Sequence, residues 1–155
     1  MANIDACFSS DRMDWETPDD FFELLNDEFK FTLDVCADKN NTKCKRFITK
    51  EMNAFKKSWE GEICWMNPPY GKEIGNWMKK AYEESRKGCT VVCLIPSRTD
   101  TKYWHDYAMK AKEIRFVKGR LRFVGADSSA PFPSCIVIFK KNLKSYPIIS
   151  SLLIK

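Results

Sequence analysis

The feature that most constrains the fold is the apolar run Ile63-Cys64-Trp65-Met66, which stops abruptly at Asn67-Pro68-Pro69-Tyr70. A short continuous apolar run is typical of a strand that is covered on both faces, as in a parallel sheet. Neither proline can donate a backbone N–H to a neighbouring strand, and each has a fixed φ angle. The sequence therefore predicts a buried strand followed by a stiff loop at the carboxyl end of a sheet, the edge where open α/β sheets bind ligands.

Helical and extended patterns alternate along the rest of the chain. Thr17 is a candidate N-cap for a helix with Pro18 at its first position. The predicted helices are 18–29, 74–88 and 101–112, and the predicted strands are 31–34, 46–49, 63–66, 90–95, 114–117, 121–124 and 135–139. Helices between buried strands imply crossover connections and a mostly parallel sheet flanked by helices. The predicted fold class is α/β.

The length of 155 residues suits a single domain, spanning residues 1–155, in which residues 1–14 are expected to be flexible. No apolar run is long enough to span a bilayer, and the N-terminus does not resemble a signal peptide, so we expect a cytoplasmic protein. The seven cysteines are odd in number and scattered, which favours reduced thiols. With one histidine and no Cys-x-x-Cys pair, we expect no metal site.

The stiff loop is suited to one kind of chemistry. The side-chain oxygen of Asn67 and the backbone carbonyl of Pro68 can together accept both hydrogens of an aromatic amine, and Tyr70 can stack on the ring that carries it. This arrangement orients the amine nitrogen toward an incoming methyl group. The alternative interpretation is that the loop is only a turn between strand and helix, or an exposed proline ligand.

Several short stretches, taken in order, resemble one protein family. The chain is similar to the phage-type DNA adenine methyltransferases from about Trp15 to Phe139. The stretches that carry the resemblance are Trp15 to Pro18, Phe31 to Ala37, Trp59 to Gly61, Trp65 to Tyr70, Leu94 to Thr101, Gly119 to Phe123 and Pro133 to Phe139. Each is weak alone, but their order and spacing together are specific.

The resemblance implies a compact Rossmann-like methyltransferase fold, S-adenosylmethionine as the methyl donor and adenine in DNA as the acceptor. It makes Asn67, Pro68, Pro69 and Tyr70 the catalytic loop. It also implies a cofactor site near the start of the chain and the end of the first strand, formed by Trp15, Thr17, Pro18, Asp34, Cys36 and Ala37. The expected partner is DNA in the cytoplasm of a bacterial host, and a homodimer is one open arrangement.

The chain departs from the wider methyltransferase pattern after its first strand. No glycine-rich turn follows Asp34, and only about thirty residues separate Asp34 from Asn67. That spacing is short for two complete strand and helix units, so we expect the fold to be abbreviated between the first strand and the catalytic strand. The candidates for binding the cofactor ribose in this interval are Glu51 and Asn53.

The charge is distributed unevenly along the chain. Residues 1–100 carry 15 Lys+Arg and 18 Asp+Glu, whereas residues 101–155 carry 11 and 3. A basic cluster between positions 110 and 122 is a candidate for contacting the DNA backbone. The residues selected as DNA contacts are Arg98, Lys118, Arg120 and Arg122. The alternatives are that the cluster is the polar face of an edge hairpin and that the segment around Arg98 caps a helix.

Two further functions remain open from the sequence. The same acceptor pair suits an adenine in RNA or a glutamine amide in a protein. The missing glycines also allow a catalytically inactive nucleic-acid-binding relic of a methyltransferase.

Overall fold

The predicted buried strand forms at the predicted position, in a computed structural model that describes residues 14–141 and 144–154. Strand β2 (Ile63–Met66) lies between β1 (Leu33–Asp34) and β3 (Thr90–Pro96) and is parallel to both. Its side chains alternate between two cores, with Cys64 and Met66 on one face of the sheet and Trp65 on the other. This two-sided burial explains why the run is apolar at every position.

Three more strands complete a six-stranded sheet of order β1-β2-β3-β5-β4-β6. They are β4 (Glu113–Lys118), β5 (Ser134–Phe139) and β6 (Ile148–Leu153). Strand β5 is antiparallel to both of its neighbours, while the other five strands share one direction. The prediction of an α/β, Rossmann-like fold with a mostly parallel sheet is confirmed.

Helices cover both faces of the sheet. Helix α1 (Asp19–Phe29) packs on one face, where Phe22 contacts Trp65 edge-on at 5.4 Å between ring centroids. Helix α2 (Ile74–Arg86) packs on the other face through Met78 and Ala81. The short helix α3 (Lys102–Asp106) lies on the same side as α2, and two 3-10 turns are formed by Ala54–Lys56 and Ala108–Lys110.

Between β1 and β2 the chain is abbreviated, as expected. The predicted strand 46–49 is reduced to one parallel bridge between Phe47 and Asp34, supported by hydrogen bonds from the Asp34 N–H to the Arg46 carbonyl and from the Ile48 N–H to the Asp34 carbonyl. The first 3-10 turn is the only helical element described in this interval.

Several sequence-based boundaries are wrong. The predicted strand 121–124 is irregular chain, although Leu121 and Phe123 are buried as an alternating pattern requires. The predicted helix 101–112 breaks after Asp106. Strand β6 was not predicted, because its side chains are mostly exposed and its sequence lacks apolar alternation. Pro18 occupies the N-cap position assigned to Thr17, and α1 begins at Asp19.

Two further expectations concern the N-terminal stretch and membrane-spanning segments. The expected flexible N-terminal stretch lies outside the described residues, apart from Asp14. Within the described ranges, no helix is both long enough and apolar enough to cross a membrane.

Candidate active site

The side chain of Asn67 is the centre of a hydrogen-bond network at the carboxyl end of β2. Its Nδ2 donates to the backbone carbonyl of Trp15 at 2.5 Å and to the Thr17 hydroxyl at 2.9 Å. Its Oδ1 accepts a hydrogen bond from the Tyr70 hydroxyl at 2.7 Å. Asn67 is thus held by the chain segment before α1 on one side and by its own loop on the other.

These contacts fix which way the Asn67 amide faces. A backbone carbonyl can only accept, so the NH₂ end of the amide must face Trp15. The oxygen end is then directed toward Tyr70. A carbonyl-type oxygen has two lone pairs, and the Tyr70 hydroxyl uses one of them. The Asn67 oxygen therefore has capacity for one hydrogen of a substrate amine.

Tyr70 is packed among aromatic residues and keeps its proton. Its ring meets Phe132 and Phe123 edge-on, with centroid distances of 5.6 and 6.3 Å. Its hydroxyl is also 3.1 Å from the Leu94 carbonyl, so its single proton is shared between that oxygen and Asn67. Burial raises the pKa of Tyr70 well above its usual value. The expected stacking of Tyr70 on a base stays a prediction.

A cavity of about 260 Å³ lies next to the loop 67–71. Its other side is lined by the segment that follows β3, which includes Arg98 and Thr101. The cavity lies just below the roughly 300 Å³ at which pockets for drug-sized ligands begin, which suits one flat ring system. Its lining residues are Tyr70, Gly71, Ile74, Pro96, Arg98, Thr101 and Tyr103.

Asp34 provides a buried carboxylate at the end of β1, where it is 3% exposed. Its oxygens accept hydrogen bonds from the backbone N–H groups of Cys36 at 3.2 Å and Lys43 at 3.0 Å. Burial raises the pKa of the Asp34 carboxyl to about 6, although both hydrogen bonds act in the opposite direction. Burial and the neighbouring Asp34 raise the pKa of the Cys36 thiol to about 12, so this thiol stays protonated.

The end of β1 lies close to the start of α1. The Lys43 ammonium forms an ion pair with Asp19 at 2.6 Å and lies 3.8 Å from Glu16. The backbone N–H of Ala37 donates to Ile48, which places Ala37 beside the short bridge strand. The structure thus brings to one edge of the sheet six of the residues predicted to bind the cofactor: Trp15, Thr17, Pro18, Asp34, Cys36 and Ala37.

The two ribose candidates differ in availability. Glu51 is exposed. Asn53 has a positive φ of 57°, and its side-chain oxygen accepts from the Phe55 N–H at the start of a 3-10 turn. Because this oxygen already caps the turn, Glu51 has the more available acceptor. Both assignments stay predictions.

Arg98 follows strand β3, and the other three candidate DNA contacts lie at or after the end of β4, at the same edge because β4 has the direction of β2. Lys118, Arg120 and Arg122 are exposed. The Arg120 guanidinium donates to the Ala130 carbonyl at 3.3 Å, and Arg122 donates to the carbonyls of Ala126 and Asp127 at 3.1 and 3.3 Å. Both arginines therefore also stabilise the loop 119–133 to which they belong.

Arg115, a member of the basic cluster, is neutralised by acidic neighbours. Its guanidinium forms two hydrogen bonds of 2.8 and 2.7 Å with Glu28 and also contacts Glu113. It joins β4 to α1 and has a structural role. Fewer charges of the basic cluster are therefore available to contact DNA than the sequence indicates.

The loop 119–133 covers the site, a position that the sequence pattern does not predict. Trp15 meets Phe123 and Phe132 edge-on at 5.3 and 5.2 Å, and the Val124 N–H donates to the Glu16 carbonyl at 3.0 Å. The available signal was the buried pair Leu121 and Phe123, which the alternating pattern assigns to a strand. The loop therefore holds the segment 15–17 in place above Asn67.

Comparisons with known proteins find similarity over most of the chain. A family model described as DNA N-6-adenine-methyltransferase (Dam) matches residues 6–153. A protein named DNA N-6-adenine-methyltransferase from Haemophilus phage HP1 (strain HP1c1) is 33% identical over 139 residues, covering 84% of this chain and 80% of the phage protein. A protein of the same name from Escherichia phage T1 is 28% identical over 109 residues, covering 69% of this chain and 45% of its own length.

Proposed function

This chain belongs to the DNA N-6-adenine-methyltransferase family, and from that membership we propose that it transfers a methyl group from S-adenosylmethionine to the exocyclic amine of adenine in DNA. The names of the phage relatives support adenine in DNA as the acceptor. The observation that carries the proposal is the fixed orientation of the Asn67 amide, whose NH₂ end is bound by Trp15 and Thr17. Its oxygen is thereby directed away from the segment before α1.

In this proposal Asn67 and Pro68 bind the amine of the base. The Asn67 oxygen accepts one amine hydrogen and the Pro68 carbonyl accepts the other, which orients the nitrogen lone pair. Positive charge develops on that nitrogen as the methyl group arrives, and two acceptor oxygens held in advance stabilise it. The amine proton can leave after transfer, so the step needs no strong base.

The residues at the end of β1 fit a cationic cofactor. Asp34 is a buried carboxylate whose lone pairs are only partly used by the N–H groups of Cys36 and Lys43. With a pKa of about 6 it is ionised at neutral pH, and a buried anion is stabilised by a positively charged ligand. We propose that Asp34 binds the amino group of the methionine moiety and that Glu51 binds the ribose. When bound, S-adenosylmethionine supplies an electrophilic methyl group.

We propose that the target adenine rotates out of the duplex into the cavity beside Tyr70. An amine inside a paired stack cannot approach Asn67, and a cavity of base-like size is lined by Tyr70, the hydrogen-bond partner of Asn67. Arg98 lines that cavity, and we propose that the exposed Lys118, Arg120 and Arg122 contact the DNA backbone. Because the proposed substrate is DNA, we expect the protein to act in the cytoplasm of a bacterial host. A homodimer stays a prediction.

The test is transfer of a labelled methyl group from S-adenosylmethionine to unmethylated duplex DNA, with the modified nucleoside identified by mass spectrometry. Asn67→Ala should lose nearly all transfer, because both its acceptor and its link to Trp15 disappear. Asn76→Ala is the matched control. Asn76 is exposed on α2, and among the described residues its side chain forms a hydrogen bond only with Glu73. This variant should retain wild-type activity.

Each other result would support a different function. Label in RNA or on peptide glutamine, with none in DNA, would favour one of those acceptors. Full activity of Asn67→Ala would exclude the proposed mechanism. Absence of cofactor binding in the wild-type protein, measured by calorimetry, would favour the inactive relic.

A further inference from the structure

Thr17 makes a contact with the catalytic loop that its sequence position does not suggest. Thr17 lies fifty residues before Asn67 and is 2% exposed. Its hydroxyl accepts one of the two hydrogens of the Asn67 amide, and the Trp15 carbonyl accepts the other. We propose that Thr17 is a positioning residue that orients the Asn67 oxygen for the substrate amine, an inference that rests on the proposed function.

The physical reason is the small number of contacts that determine the orientation of an asparagine amide. The terminal torsion of asparagine is broad, so hydrogen bonds decide its value. Rotation of the Asn67 amide would break both of its N–H hydrogen bonds and the one from the Tyr70 hydroxyl, and it would place the oxygen against the Trp15 carbonyl, which can only accept. Without the Thr17 hydroxyl, one amide hydrogen loses its acceptor, and the torsion is held by the Trp15 carbonyl and the Tyr70 hydroxyl alone.

The Trp15 carbonyl is itself fixed from outside the segment. The Trp15 ring packs between Phe123 and Phe132, and the next carbonyl, of Glu16, accepts from Val124. Trp15 therefore contributes a backbone group that a point substitution does not remove. Thr17 provides the one side chain of the pair, so it is the position where the orientation can be tested.

Thr17 was also predicted to bind the cofactor, and the two roles have different kinetic consequences. A cofactor contact would change the affinity for S-adenosylmethionine. A positioning contact acts on the bound amine, so its loss lowers kcat and leaves cofactor and DNA affinities unchanged. The deep burial of Thr17 behind Asn67 favours the second role.

The experiment compares Thr17→Val with Thr17→Ser. Valine keeps the branched shape but has no hydroxyl, whereas serine keeps the hydroxyl. We expect Thr17→Val to lower kcat about tenfold or more, since small misplacements of reacting groups have effects of that order. Thr17→Ser should stay within about twofold of wild type, and both variants should keep the wild-type Kd for S-adenosylmethionine and KM for DNA. Unchanged kcat in Thr17→Val, equal losses in both variants, or a loss explained by weaker cofactor binding would overturn the proposal.

A second measurement does not require activity. The side-chain amide signals of Asn67 in a ¹H–¹⁵N spectrum can be assigned by their absence in Asn67→Ala. We expect both amide protons to shift and to exchange faster in Thr17→Val but not in Thr17→Ser. Unmoved signals in Thr17→Val would also overturn the proposal. Shifted signals in a protein that methylates no DNA would instead leave the Asn67 orientation standing and reject the proposed function.

Discussion

At the scale of single residues, Asp34 makes the stability of the protein depend on pH. Burial raises the pKa of its carboxyl from 3.8 to about 6, which is above its value in the unfolded chain. The stability that Asp34 contributes is therefore fully present at low pH and is lost as the pH rises through about 6. At neutral pH the ionised carboxylate is a cost, which a cationic ligand would offset.

The prediction compares the wild type with Asp34→Asn, which cannot ionise. Relative to this variant, the free energy of unfolding of the wild type should fall by about 2 kcal/mol between pH 4.5 and pH 7.5. Urea denaturation at the two pH values measures the difference. Asp27→Asn is the control, since Asp27 is exposed on α1 and should show no comparable change. A difference that rises with pH would contradict the assignment of Asp34 as an acid destabilised by burial.

Single residues of the candidate site differ in how far the sequence could identify them. The location of Asn67 at the end of a strand follows from local features, an apolar run and two prolines. Such features predict the end of a strand wherever they occur in a chain. The contacts of Asn67 with Trp15 and Thr17 depend on how α1 and the loop 119–133 pack. No periodicity or spacing encodes a contact of that kind, so only the fold reveals it.

At the scale of elements, the loop 119–133 combines two roles that can be separated. Arg122 donates to two carbonyls of its own loop and is also exposed at the candidate DNA edge. Lysine keeps the charge but cannot reproduce the two directed hydrogen bonds. Glutamine removes the charge.

We therefore expect Arg122→Gln to make the negative slope of the logarithm of the DNA-binding constant against the logarithm of the salt concentration shallower by about 1. Arg122→Lys should keep the wild-type slope. Binding titrations at several salt concentrations measure the slope. Arg86→Gln is the matched control, because Arg86 is exposed at the far end of α2, at the opposite edge of the sheet. Equal slopes for Arg122→Gln and wild type would limit Arg122 to stabilising its loop.

Elements were predictable where burial acts through local pattern. Strands β2, β3 and β5 are apolar at nearly every position because both faces are covered, and α1 and α2 show helical spacing. The strand predicted at 121–124 does not form, because the buried residues of the loop 119–133 face an aromatic cluster rather than a neighbouring strand. Strand β6 was not predicted for the opposite reason, since it pairs with β4 through its backbone while its side chains stay mostly exposed.

At the scale of the whole molecule, the strand directions determine which segments can meet a substrate. Strands β1 to β4 end at one edge, and the reversed β5 begins there. The segments 35–37, 67–71, 97–101 and 119–133 therefore converge on that edge. In sequence they are separated by up to about one hundred residues. The sequence predicted the sheet that unites them, but the covering position of 119–133 required the structure.

This arrangement leaves few segments to read a DNA sequence, which leads to a prediction about specificity. Among the described residues, the candidate readers at the catalytic edge are the segment 97–101 with Arg98 and the loop 119–133. Each base pair that is read needs one or two side chains placed in a groove. We expect this chain to methylate adenine within a site of about two to four base pairs. Sequencing of modified adenines in DNA treated with the enzyme measures the flanking preference, and Arg98→Ala should relax it. A strictly required site of six or more base pairs would show that specificity comes from groups outside these two segments.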